Sequence, residues 1–190
     1  MIGYYSEEEL AHLGFGAIGK NVKISKTTTI YNRGQVFLGN NIRIDNFCTI
    51  AISGSAKLII GHHVQISAYS FINGLADVTL DDFVTFAPYV RLFSSSDDYS
   101  GHSLTNATIP AAHLATVSNP IHLKKHTIIG VGSSIMPGVT LGEGTAVAGH
   151  SFVNQSSEPF TIIGGVPARY IKNRSTILLE KERLLKSDET

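Results

Sequence analysis

Large apolar side chains return every sixth residue over most of the chain. Ile18, Ile24 and Ile30 open the series; Leu38, Ile44 and Ile50, then Ile60, Ile66 and Ile72, then Leu80, Phe86 and Leu92 continue it. These triplets begin at positions 18, 38, 60 and 80, so each spans three sixes plus two or four spare residues. A last run, Leu123, Ile129, Ile135, Leu141, Val147 and Val153, holds the register without a break. Six is not a helical period. It is even, so residues six apart in an extended chain face the same side. Four residues after a marker the side chain is usually small or β-branched, as at Val22, Cys48, Ser70, Val90, Ser133 and Ser151. Turn formers lie between, in "GKN", "GNN", "GHH", "GVG" and "GEG"; Gly, Asn and Asp tolerate the positive φ of a tight corner. The unit is a short strand plus a corner. Three units close a triangle, and stacked triangles form a prism that buries aliphatics no single coil could bury alone.

The predicted fold class is therefore mainly β: a parallel β-helix of about six triangular coils over residues 18–168, roughly 29 Å tall at ~4.8 Å per coil. Residues 93–120 abandon the rhythm and form a long loop excursion. Residues 1–17 read as a short N-terminal helix and lead-in, with Ser6 and Glu9 in a capping box and Gly14 as the stop. Residues 169–190 read as a basic collar and a C-terminal helix. That helix has an apolar stripe of Ile177, Leu178, Leu184 and Leu185, expected to pack on the prism or on a neighbouring subunit.

Composition narrows the function classes. Fifteen basic and fifteen acidic residues balance, so no field for a polyanion is written into the chain and no nucleic-acid partner is expected. A single cysteine, Cys48, forbids an intrachain disulfide and suits a reducing compartment. The acidic N-terminus lacks the basic region of a signal peptide, and no stretch is long and apolar enough to span a bilayer. A cytoplasmic protein with no membrane span is the expectation.

A prism filled with Ile and Leu has no interior pocket, so chemistry must lie outside it, and a cleft needs a second wall. A structureless connection as long as 93–120 is usually functional. Of eight histidines, His102 and His113 lie in it, and His102 follows "DDYSG", where two carboxylates can orient an imidazole. The corner histidines His62, His63, His126 and His150 read as solvated turns. Cys48 falls on an inward position and reads as packing, which argues against covalent catalysis.

The segments "IGKNVKISKTTTI", "LGNNIRIDNFCTI" and "IIGVGSSIMPGVTLGEGTAVAGHSFV" resemble the hexapeptide-repeat acyltransferases. "GGVPARYIKNR" resembles the G-V-P-A-[KR]-x-I terminus of their maltose and galactoside acetyltransferase branch, with its relatives that acetylate sugars for surface polysaccharides. The resemblance implies a left-handed coil, against the general right-handed crossover rule. It also implies a homotrimer whose active sites lie between subunits under the projecting loop, and direct acetyl transfer from acetyl-CoA to a hydroxyl or amine of a sugar or nucleotide-linked sugar. In that branch a coil reading A-P-x-V-x-L leads, five residues after the Leu, to a catalytic histidine. Here "APYVRL" ends at Leu92, and the fifth residue on is Asp97. Three readings compete: His102 folds back as base; Asp97 or Asp98 serves; or the acceptor is an amine that an aspartate simply holds. Substrate candidates are Ser67, Tyr69, Asn73, Tyr89 and Arg91. The pantetheine arm would run along small residues at Gly130, Gly132, Ala148 and Gly149. The adenosine 3′-phosphate would meet Arg169, Lys172 and Arg174, with Gln155 where relatives often carry Lys. No metal is expected.

Two other functions share the prism. A γ-type carbonic anhydrase needs three imidazoles converging on Zn²⁺, and His122 and His126 lack a third partner of matching spacing. A non-catalytic scaffold is the other, kept open by the missing loop histidine.

Overall fold

The computed structural model describes residues 3–188. Three parallel sheets run the length of the molecule. The first carries Ala17–Ile18, Val36–Leu38, Leu58–Ile60, Val78–Leu80, Ile121–Leu123 and Thr140–Leu141. The second carries Val22–Ile24, Ile42–Ile44, Gln65–Ile66, Thr85–Phe86, Ile128–Ile129, Ala146–Val147 and Thr161–Gly165, closed by an antiparallel strand, Ala168–Asn173. The third carries Thr29–Tyr31, Thr49–Ile52, Phe71–Gly74, Arg91–Phe93, Ser134–Ile135 and Phe152–Val153. Each sheet takes one strand per coil, so the chain winds as a triangular β-helix.

The six-residue markers stack on one another. Ile24, Ile44, Ile66, Phe86, Ile129 and Val147 pair in register down the second sheet. Ile30, Ile50, Ile72, Leu92, Ile135 and Val153 do the same in the third. Nearly all are fully buried. The smaller inward positions between them include polar residues, and each hydroxyl is returned to the backbone of its own or a neighbouring turn. Ser70 Oγ donates to Ser67 O, Thr127 Oγ1 to Lys124 O, and Ser133 Oγ and Ser151 Oγ both to Ala148 O. Among the described residues no buried side-chain nitrogen or oxygen lacks a partner.

The corners depart from expectation. Asn21, Asn41 and Gly144 adopt positive φ as the turn formers require, but so do Phe47, Tyr69, Phe83 and Tyr89. A bulky residue in this region is held at a cost of about 1–2 kcal/mol. The stacking offsets it. Phe47, Tyr69 and Tyr89 form one ladder, with ring centroids 5.2 and 4.8 Å apart; His63, Phe83 and His126 form another, at 4.9 and 4.8 Å. Such pairs contribute roughly 0.5–1.5 kcal/mol each.

The excursion leaves after Phe93 and rejoins at Ile121. It is not structureless. Ser95–Ser96 and Val117–Ser118 pair antiparallel as a neck, and a bridge joins Leu104 to Leu114 further out. Ser94 rivets the neck to the prism: its buried Oγ accepts from Ala76 N and donates to Ala76 O, while Asn119 N donates to Ser94 O.

At the N-terminus α1, Glu7–Ala11, carries the expected capping box. At the other end the boundary drawn at residue 168 falls inside a hairpin, because Ala168–Asn173 folds back on Thr161–Gly165. What read as a loose collar is the last strand of the second sheet. The helix α2, Leu178–Asp188, is held through a carboxylate rather than through its apolar stripe. Glu182 accepts from Lys125 Nζ at 2.6 Å and pairs with His126 Nε2 at 2.8 Å and Lys186 Nζ at 2.6 Å. Ile177, Leu184 and Leu185 remain exposed on the single chain.

Candidate active site

The site begins where the neck leaves the third sheet. Outward residues there form vertical files. Phe71, Arg91, Ser134 and Phe152 stack in register on successive coils, and Asn73 lies beside Phe93. The neck passes over the upper part of this face, and an open cavity of about 280 Å³ lies beside it. Ser95, Ser96, Asp97 and Tyr99 line it from the neck side, and Phe93, Ser134, Met136 and Phe152 from the prism.

The three candidate bases separate. Asp97 lines the cavity, and its carboxylate takes no hydrogen bond among the described residues. Asp98, one residue on, is occupied by its own loop. It accepts from Ser100 N at 2.8 Å, Ser103 N at 3.1 Å and Ser103 Oγ at 3.0 Å. Hydrogen bonds from the Ser100 side chain and backbone, then from Ser103, hold its carboxyl down at about 2, so it stays ionised and organises the loop. His102 is not among the residues around Asp97. Its Nδ1 lies 2.7 Å from Ser100 Oγ, and it opens instead on a depression shared with His113, Leu104 and Leu114. The split follows from the bonds of the loop: Ser95, Ser96 and Asp97 line the cavity in succession, while Asp98 is turned onto Ser100 and Ser103, and His102 lies beyond that turn.

The substrate candidates fall into two groups. Arg91 and Asn73 lie on the face below the cavity; Arg91 is exposed and makes no ion pair among the described residues. Tyr69 and Tyr89 lie around the corner in the aromatic ladder. Ser67 is buried, its Oγ accepting from Gln65 and its carbonyl from Cys48 Sγ and Ser70 Oγ. The Cys48 thiol is pushed up to about 11 by burial, which keeps it protonated and unreactive. Sequence reasoning missed Met136 and Phe152. Both are outward positions on regular coils, and nothing local marks them until the neck is placed over them.

The proposed coenzyme edge has a structural reason to be small. A Cβ on Gly130 would lie 2.5 Å from Gly149 N and 2.8 Å from Ala148 C; one on Gly132, at φ +70°, would lie 2.7 Å from His150 Nδ1. Stacking alone therefore demands a glycine at positions 130 and 132. The basic trio is divided. Arg169 joins Gln155, Ser156, Glu158 and Tyr170 around a cavity of about 240 Å³ at the end of the prism. Lys172 is exposed on the last strand. Arg174 is a strap: its Nη1 donates to His126 O at 2.9 Å and Gly144 O at 3.0 Å, and burial lowers its pKa. The two histidines weighed for a metal are each paired with a carboxylate at different places, His122 with Asp81 at 2.9 Å and His126 with Glu182.

No protein-family profile matches the chain. Over 185 residues it is 37% identical to the dTDP-4-amino-4,6-dideoxy-D-glucose acyltransferase of Escherichia coli, covering 97% of this chain and 96% of that protein. AntD, an N-acyltransferase from Bacillus cereus in complex with dTDP and 3-hydroxybutyryl-CoA, superposes with a TM-score of 0.94 at 39% identity, with 100% of both chains covered. A serine variant of AntD bound to dTDP-4-amino-4,6-dideoxyglucose and coenzyme A gives 0.90 at 40% identity, over 98% of this chain and 99% of that one. Galactoside acetyltransferase with coenzyme A gives 0.61 at 20% identity, over 85% and 66%, and shares the fold alone. The dTDP-aminosugar enzymes thus stand nearer to this chain than the galactoside enzyme does.

Proposed function

The chain belongs to the hexapeptide-repeat acyltransferases and is an enzyme using acyl-coenzyme A as cosubstrate; from that premise we propose that it acylates the amine of a dTDP-linked amino sugar. The observation that carries this reading is Asp97. It stands at the galactoside branch's histidine position, lines the cavity, and has a carboxylate that takes no hydrogen bond among the described residues. An alkoxide has to be generated by a base of suitable strength, and histidine is the usual one. An amine needs less. A carboxylate attracts the sugar ammonium and orients it; one proton leaves to solvent, which frees the nitrogen lone pair, and Asp97 takes a second as the nitrogen closes on the thioester carbonyl. The N–C bond forms, the C–S bond breaks, and the proton held by Asp97 is passed on to the sulfur, so that coenzyme A leaves as a thiol. Asp98 sets the loop that presents Asp97.

The remaining roles follow from position. Arg91 and Asn73 meet the acceptor, with Arg91 on its diphosphate; Tyr69 and Tyr89 flank it, and Ser67 supports their corner. The pantetheine arm lies along Gly130, Gly132, Ala148 and Gly149. Arg169, with Gln155 on the same cavity, receives the 3′-phosphate, and the exposed Lys172 further along the strand adds to the positive field there. The cavity is open on one side in the single chain, and a homotrimer supplies the missing wall. Work in the cytoplasm, on a sugar bound for surface polysaccharide, completes the proposal. The test is direct. With dTDP-4-amino-4,6-dideoxyglucose and acetyl-CoA the enzyme releases free thiol and forms an amide, seen by mass and by loss of the titratable amine. Thiol release that requires a sugar lacking an amine, with an ester as product, overturns the amine assignment.

A further inference from the structure

The excursion stands on one loop of the coil below it. Between Ile72 and Leu80 the chain carries two residues beyond the six-residue period, and both feet of the excursion bond to the segment they create. The outgoing foot is Ser94, whose backbone N–H donates to Asn73 O at 3.0 Å. The returning foot is Ile121, whose N–H donates to Asp77 O at 3.0 Å. Ser94 also ties the feet together, because Asn119 N donates to its carbonyl at 3.0 Å. Its side chain breaks the pattern of the coil. Two residues after Leu92 is an inward position, and Ile52 holds the matching place two coils down. Ser94 puts a hydroxyl there, with none of the residue exposed. That hydroxyl accepts from Ala76 N at 3.0 Å and donates to Ala76 O at 2.8 Å, with Asn73 O also within reach at 3.2 Å. Among the described residues no other side chain makes a hydrogen bond between the excursion and the prism.

Resting on the acyltransferase reading above, we infer that Ser94 is a positioning residue for the reaction: its buried hydroxyl sets the angle of the neck on the prism, and with it the place of the Asp97 carboxylate. Ser94 touches no reacting atom and acts through Asp97. Only Ser95 and Ser96 separate the two, and both line the same cavity as Asp97. The neck pairing, Ser95 with Ser118 and Ser96 with Val117, holds the two strands to each other and not to the prism. Without the hydroxyl, the N–H and C=O of Ala76 lose their buried partner, which is costly enough that water enters the joint or the neck tilts. A group misplaced by about 1 Å can cost on the order of a hundredfold in rate. The loss belongs in turnover, because neither substrate loses a contact.

The test uses the whole chain with dTDP-4-amino-4,6-dideoxyglucose and acetyl-CoA. Expected for Ser94→Ala is at least a tenfold fall in kcat, with KM for each substrate within threefold and the coils folded by circular dichroism. Ser94→Cys keeps more of the volume and falls in the same direction, so a poorly folded alanine variant does not decide the outcome. Ser94→Thr retains the hydroxyl and recovers to within about threefold of the parent. Ser94→Ala combined with Asp97→Asn lies within about threefold of Asp97→Asn alone, since a displaced carboxylate has little left to lose, whereas independent effects multiply. Multiplied losses, no recovery in folded Ser94→Thr, or an unchanged kcat in folded Ser94→Ala and Ser94→Cys overturns the inference and leaves the proposed function standing. If the parent does not acylate the amine, the proposed function falls, and hydrogen exchange decides the anchor. The neck amides at 95–96 and 117–119 then exchange at least tenfold faster in Ser94→Ala, with coil amides unchanged; equal protection overturns it.

Discussion

The prism and the excursion are built on opposite principles. In the prism every position has a counterpart one coil away, and its contacts are long-range and repeated: Leu92 lies between Ile72 and Ile135, which continues to Val153. In the excursion the bonds are short-range and used once, such as Asp98 with Ser100 and Ser103, and Asn106 with Thr108. Redundancy gives the prism a rigid face. Irregularity gives the excursion a free carboxylate and a wall. Stability and chemistry are thereby carried by different residues, and a change in one region is expected to leave the other intact.

The strongest way to break that division is a pair of variants. Asp97→Asn keeps the size of an exposed side chain and removes its charge and basicity; a positioned base is worth about 10²–10⁴ in rate. The expected result is at least a hundredfold loss of kcat/KM with a melting temperature within a degree or two of the parent. Ile135→Ala removes a fully buried side chain and costs about 2–5 kcal/mol. Its denaturant midpoint falls accordingly, while turnover per folded molecule stays within about threefold. Asp97→Asn lowering stability as much as Ile135→Ala, or Ile135→Ala abolishing turnover in folded protein, erases the division.

The same contrast explains what could be read before any coordinates. The coil was legible because Ile24, Ile44 and Ile66 repeat, and a repeat can be tested against itself along the chain. The excursion was legible only as a gap in that pattern. Its neck is two residues per strand, too short to leave a period-two signal, and the Ser94 rivet depends on Ala76 in another coil. Asp97 could be picked out by its distance from Leu92, but separating it from Asp98 and His102 required the turn that ties Asp98 to Ser100 and Ser103. The basic cluster near the end is divided for a related reason. Proximity in sequence grouped Arg169, Lys172 and Arg174, whereas a hairpin strand and a bond to the His126 corner send them different ways.

A smaller effect is expected where a single-use contact holds an element to the prism. Burial raises the Glu182 pKa, but hydrogen bonds from Lys125, Lys186 and His126 outweigh it and bring the group down to about 2. A carboxylate whose folded pKa is depressed adds stability above its unfolded value, near 4.3, and loses that contribution as pH falls toward the folded value. Helix α2 should therefore loosen between about pH 4.5 and 2, with the coils still protected. Hydrogen exchange at pH 6, 4 and 2.5 reads this directly. Glu182→Gln should expose α2 already at pH 6 and flatten the dependence. Protection of α2 that ignores pH, or the same profile in the variant, removes Glu182 as the anchor.

The smallest effect sharpens the comparison inside the prism itself, at the corners where aromatic residues stand in place of the expected turn formers. Phe47 ends its ladder and stacks on one ring; Tyr69 stacks on two. Both hold positive φ, a conformation asparagine adopts with less strain. Phe47→Asn thus exchanges one stacking contact of about 0.5–1.5 kcal/mol for relief of about 1 kcal/mol, and should come out near zero. Tyr69→Asn gives up two contacts for the same relief and should cost about 1 kcal/mol. If the two variants unfold at the same denaturant concentration, the ladders contribute nothing and the corners are held by the core alone. If Tyr69→Asn is the weaker by the expected margin, the prism's surface is repetitive in energy as well as in shape, in contrast to the excursion, whose ties to the prism, such as Ser94 on Ala76, are each made once.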